Sequence, residues 1–189
     1  MRYNLVPGKT DISFKVKNFW FTITGSFNLK RGFFDINEKA TDLEKARIIL
    51  DAGSIDTDDT ERDKSLKSKK FFDVQNHPEI KFRTSELKAE TGKAAILTGF
   101  LTIKETTHPF ELHLPDFKGL SPDKISLPRI ITGKAHGTLN RLDYDIGGGI
   151  SDFTLGRDVR IIVRYYAVKS EVPKPHRKPN PGTVPDTKQ

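Results

Sequence analysis

Residues 53–82, GSIDTDDTERDKSLKSKKFFDVQNHPEIKF, constrain the fold more than any other part of the chain, because they form an ordered connection between two evident strands. Thr60, with Asp63 three residues on, offers a start of capping-box type. Acids crowd the first turn, and Lys67, Lys69 and Lys70 stand where a short helix would end. Negative charge at the N-terminus and positive charge at the C-terminus favour one short helix here. Phe71 and Phe72 then follow as a pair, and His77-Pro78 breaks the chain before the alternation Ile80, Phe82, Thr84. The aromatic pair is thereby brought toward the mouth of the core.

Around this connection the hydrophobic period is two. Ile12, Phe14 and Val16 alternate with Ser13, Lys15 and Lys17, as in a strand with one wet face. Phe27 and Leu29 precede a turn expected at Arg31-Gly32, Phe33 and Ile36 follow it, and residues 47–52 turn Ile48 and Leu50 inward. Residues 97–103 and 109–114 predict a hairpin about Lys104 to Thr107, with Phe110, Leu112 and Leu114 on one face and Glu111 and His113 on the other. Residues 134–142 and 159–168 supply the last strands, separated by the Gly147-Gly148-Gly149 loop, with Ile161, Val163 and Tyr165 on one side. The sum is an all-β chain: an antiparallel barrel of about eight strands, with one short helix in the 57–72 connection.

A length of 189 residues suits one domain, taken here as residues 1–168, followed by a tail at 169–189. The last 17 residues hold five prolines, with Lys174, Arg177, Lys178 and Lys188 against Asp186, a composition expected to be disordered. With no cysteine there is no disulfide, thiol catalysis or Cys-zinc site, and the redox compartment stays unread. Thirteen phenylalanines against one tryptophan and one methionine suit a cavity better than a solid bundle. No apolar leader or membrane-spanning run is visible. The expected location is cytoplasmic as the sequence stands, or periplasmic if a leader was removed.

Residues 53–82, together with LTGFLTIKETTHPFEL at 97–112 and NRLDY at 140–144, resemble the YceI-like family of lipocalin-like polyisoprenoid-binding proteins over residues 3–168. The family pattern is met at Ser54 to Thr57, Arg62-Asp63, Leu66 and Phe71-Phe72. The resemblance implies a lipocalin-like barrel whose long apolar interior holds an isoprenoid chain, such as a quinone tail or polyprenyl lipid, and it suggests a homodimer. Departures fall at polar positions: Lys9, Asn18 and Ser65 stand where the family usually carries histidines, and Val6 where it has an aspartate. Glu105 and Asp145 replace customary glycines. These changes bear on the head group more than on the fold.

The candidate lining residues are Phe14, Val16, Phe27, Ile48 and Leu50 from the first half of the chain. Phe71, Phe72, Phe82, Leu101 and Ile103 join them, as do Phe110, Leu112, Tyr144, Ile161 and Val163. Periodicity alone leaves two states open, since a barrel of about eight strands either fills with side chains or holds one narrow ligand. A ligand of about forty carbons at ~0.3 kcal/mol per heavy atom would reach ~12 kcal/mol without any catalytic group. Arg62, Asp63, Asn140 and Arg141 either recognise a head group, for which arginine offers a bidentate fork, or brace the helix onto the barrel.

A net charge of +7 and a pI near 9.5 admit an anionic membrane surface as a transient partner. Nucleic acid is not expected, because Asp56, Asp58, Asp59, Glu61 and Asp63 precede the lysines of residues 64–70 and strand lysines face away from strand aromatics. No nucleophile elbow, phosphate loop or helix-borne histidine pair is present. His77 and His108 precede prolines as turn residues, His113 faces outward, His136 lies on another strand and His176 in the tail, so no metal set is expected. The expectation is therefore non-catalytic binding, transport or storage of an isoprenoid-type lipid, with no cofactor. The alternatives are a surface-acting binder of anionic membrane or nucleic acid, and a hydrolase-like enzyme acting on a small apolar substrate in the cavity.

Overall fold

Alternation becomes wall and lumen in the computed structural model, which describes residues 1–36, 43–88, 94–116, 128–150 and 154–170. The strands are β1 (Arg2–Leu5), β2 (Asp11–Asn18), β3 (Phe21–Phe27), β4 (Leu29–Ile36) and β5 (Leu43–Asp51). The helix α1 (Thr60–Lys67) follows, and then β6 (Glu79–Lys88), β7 (Ala95–Ile103), β8 (Thr106–Leu114), β9 (Ile130–Asn140) and β10 (Asp158–Lys169). All pairings between these strands are antiparallel, in the order β1-β4-β5-β6-β7-β8-β9-β10-β2-β3, and β1 also pairs with β10.

The additional β1–β10 pairing closes the ring. Strands β1 and β2 both lie along β10, while β4 lies beside β1 and β3 beside β2. Each of these pairs is one long stave broken once, so the barrel has eight antiparallel staves, as the alternation predicts. Pro7 has no N–H for a ladder and Gly8 takes a φ of 77°, which breaks the first stave. Thr10 spans the gap: its hydroxyl donates to the Tyr166 carbonyl at 3.2 Å and accepts from the Tyr166 N–H at 3.3 Å. The second stave breaks at Asn28, whose N–H donates to Ser54 Oγ at 2.8 Å.

Four expectations are corrected here. Arg31 and Gly32 are not a turn but lie inside β4, next to a register shift between Leu29 and Arg31. Gly32 serves close approach instead, since a Cβ there would meet Leu5 Cδ1 at 2.7 Å. The cap of α1 is Asp59, whose carboxylate accepts from the Arg62 N–H at 3.0 Å, so Thr60 is the first helical residue. His108 sits within β8 rather than in a turn. Residues 141 and 142 belong to a 3₁₀ turn, Arg141–Tyr144, and not to the preceding strand. Most of the expected C-terminal tail lies outside the described residues, and β10 runs one residue past the expected domain end.

Candidate ligand cavity

Three inward phenylalanines lie against glycines, which keeps their rings along the wall. A Cβ on Gly25 would stand 2.5 Å from Phe14 Cζ, one on Gly99 2.7 Å from the Phe82 ring, and one on Gly137 2.6 Å from Phe110 Cζ. Each ring therefore occupies the space that a side chain on a neighbouring strand would need. Phe82 and Phe110 also meet edge to face at 6.1 Å, and Phe27 meets Phe72 in the same way at 5.3 Å. With the rings held to the side, a cavity of about 310 Å³ remains. That is within the usual range of small-molecule sites, about 300–1,000 Å³.

The lining is almost wholly apolar. Phe14, Val16, Phe27, Ile48 and Leu50 all face it, as do Phe71, Phe72, Phe82, Leu101 and Ile103. Phe110, Leu112, Ile161 and Val163 complete the expected set. Tyr144 does not line it: it is fully buried against His108, ring to ring at 5.2 Å, beside an outer groove that also holds His113 and His136. Burial, with the nearby Asp143 charge, pushes its phenol up to about 12. Among the described residues, no group of three or more histidines, aspartates and glutamates is arranged to hold a metal ion.

Several lining residues escaped the sequence reading. Ile12 and Ile80 continue strand alternations and were within reach of it, whereas Ile146, Ile150 and Leu155 come from aperiodic segments after β9. Leu66 reaches the cavity from α1.

The polar residues divide by partner. Arg62 Nε donates to Thr57 Oγ1 at 2.8 Å and its Nη2 to the Thr57 carbonyl at 2.6 Å, with Asp59 at 3.6 Å. Asp63 Oδ1 accepts from the Thr57 N–H and hydroxyl. Asn140 caps the turn that follows it, accepting from the Leu142 N–H at 3.0 Å. Arg141 is 2% exposed and donates to the carbonyls of Ile146, Gly147, Ile150, Leu155 and Gly156 at 2.8–3.3 Å. Arg62 and Asp63 thus hold α1 to Thr57, whereas Asn140 and Arg141 hold the turn and loop that follow β9; Arg62 and Arg141 also border the cavity. Asn18 differs. It lines the same cavity, and its buried Oδ1 has no hydrogen-bond partner among the described residues.

A closed eight-stave antiparallel barrel with an apolar lumen and a short helix against it is a lipocalin-like barrel. The YceI-like domain model matches residues 3–167, so the chain belongs to the YceI-like family. A UPF0312 protein of Pectobacterium atrosepticum is 30% identical over 162 residues, covering 85% of this chain and 81% of the relative. One from Pseudomonas aeruginosa is 35% identical over 99 residues, 52% of this chain and 51% of its own. Among solved structures, Burkholderia cenocepacia BcnA superposes with a TM-score of 0.68 at 19% identity, covering 86% of this chain and 97% of that one. A polyisoprenoid binding domain from Saccharophagus degradans, implicated in plant cell wall breakdown, gives 0.63 at 12% identity, covering 89% and 98%.

Proposed function

We propose that this protein binds one isoprenoid-type lipid in the barrel lumen and carries or stores it without chemical turnover. The observation that supports this most is the lumen itself, kept open by aromatic rings lying over glycines and lined by apolar side chains from all round the barrel. Burial of a prenyl chain there, at about 25 cal/mol per Å² of apolar surface, supplies the affinity. The solved polyisoprenoid binding domain with the same fold supports the choice of cargo.

Head-group choice falls to Asn18. A buried acceptor without a partner is costly to leave unmade, and a ligand hydroxyl donating to Oδ1 satisfies it. The arginines are already committed to carbonyls and to Thr57, so an alcohol or quinol head suits the site better than a diphosphate. A homodimer belongs to the same proposal, whereas contact with an anionic membrane stands apart from it.

The test is titration of delipidated protein with geranylgeraniol that carries a dansyl label at the far end of the chain and keeps its alcohol free. Saturable one-to-one binding is expected, reduced by Leu101→Trp, which fills the lumen without adding charge, and weakened by Asn18→Leu. Unaltered binding by a folded Leu101→Trp variant would place the ligand elsewhere. Recovery of a chemically altered probe would replace the carrier by an enzyme.

A further inference from the structure

The β2–β3 hairpin tip breaks two rules at once. Two-residue hairpin turns favour Asn-Gly and similar pairs because they require positive φ, yet here Phe19 takes a φ of 48° and Trp20 follows it. Water-facing surfaces also keep large aromatics apart. Phe19, Trp20 and Phe21 are contiguous and 51%, 88% and 72% exposed. Turn geometry does not favour Phe19, solvation does not favour Trp20 and Phe21, and large aromatics left this exposed beside one another point to a contact outside the folded chain.

Position and charge say what that is. Asn18 pairs with Phe21 across the hairpin, and Asn18 and Ile23 both line the cavity, so the tip is continuous with the mouth. Lys15 and Lys17 are exposed on the outward side of the same hairpin, and Arg160 stands beside Lys15 in register on β10. No acid occurs between Asp11 and Asp35, and Asp158 is the acid nearest the tip on β10. Exposed Lys64, Lys69 and Lys70 lie in and after α1, with exposed Asp58, Asp59 and Glu61 at its other end, and Arg62 and Ser65 of α1 also border the cavity.

We infer that Phe19, Trp20 and Phe21 insert into the interfacial layer of an anionic phospholipid bilayer, with the lysines on its head groups, so that the cavity mouth meets the lipid. Aromatic rings partition to that layer, and basic residues add an attraction that salt screens. The purpose of docking rests on the carrier reading; the docking itself does not.

Trp20 is the only tryptophan in the chain, so its emission reports the tip alone. With vesicles of phosphatidylcholine and phosphatidylglycerol the emission should shift to the blue and be quenched by brominated acyl chains, less so at high salt or with phosphatidylcholine alone. Phe21→Ser should lower partitioning about tenfold, the equivalent of roughly 1.4 kcal/mol, while melting temperature and labelled-prenol binding in solution stay unchanged. Unshifted emission with no co-sedimentation would overturn the inference. So would a blue shift that rises with protein concentration without lipid while the mass doubles, because a second copy would then cover the tip. A wild type that docks yet binds no prenol contradicts the carrier reading alone; one that binds prenol without docking contradicts only this inference.

Discussion

Asp63 and Thr57 are joined twice: one carboxylate oxygen, Oδ1, accepts the Thr57 main-chain N–H at 3.0 Å and its hydroxyl at 2.5 Å. The same hydroxyl accepts from Arg62 Nε. Thr57 is 4% exposed, so this three-residue network ties α1 to the barrel through groups largely withdrawn from water. Thr57→Val or Asp63→Ala leaves a partner unsatisfied and should cost about 1–3 kcal/mol each in urea denaturation. Because they share one network, the double variant should lose less than the sum. Strict additivity would show that the two residues act separately.

Gly25 keeps Phe14 against the wall. Gly25→Ala places a Cβ where the Phe14 ring and the Thr57 methyl now lie, and the ring is the group able to turn into the lumen. The expected cost is about 1–3 kcal/mol in stability, with a marked drop in prenol affinity. Equal affinity in a folded Gly25→Ala protein would show that the lumen does not depend on that ring.

Arg141 organises the loop beside the mouth, its guanidinium shared among five carbonyls. Arg141→Lys keeps the charge but loses the planar fork. A cost of about 3 kcal/mol or more is expected, because several buried carbonyls lose their donor together. Hydrogen exchange should rise at Ile146, Gly147 and Ile150, whereas unchanged exchange would mean that the loop holds itself.

Two groups set opposite pH limits. Arg2 grips Asp35 at two points, 2.8 and 2.9 Å, and holds its carboxyl below the usual range. That contribution is present above the ordinary carboxylate pKa and lost as pH falls through the lowered one, so Asp35→Asn should flatten the acid limb of a melting-temperature profile. Tyr144 works in the other direction. Its phenol stays neutral up to about 12 when folded, while the unfolded chain ionises near 10. Stability is thus complete below pH 10 and falls as pH rises from there toward 12. Tyr144→Phe should hold its melting temperature over that window better than the wild type.

Much of the barrel wall was legible because inward positions on strands repeat every second residue. Phe14, Phe82, Phe110 and Val163 all obey that rule and all face the lumen. Asn18 obeys it too, at the end of the run Ile12, Phe14, Val16, but a polar residue in an inward place reads as a departure until the cavity around it is seen. Arg141 gave only half its role: its partners are carbonyls of an irregular loop, which leave no side-chain pattern to detect. Tyr144 lies outside the lumen because the turn Arg141–Tyr144 rotates it to the outer groove, and a four-residue turn leaves no period in the sequence from which its facing can be read. The glycines under the aromatic rings, and the exposure of Phe19, Trp20 and Phe21, depend on strand neighbours distant in sequence or on the shape of the finished surface.

Organic extraction of the purified protein, with mass spectrometry of the extract, tests the carrier account most directly. A stoichiometric isoprenoid with a hydroxyl-bearing head, which rebinds after removal and comes back chemically unaltered, is the predicted result. An extract without isoprenoid, from a folded barrel that takes up no prenol when offered one, would contradict it.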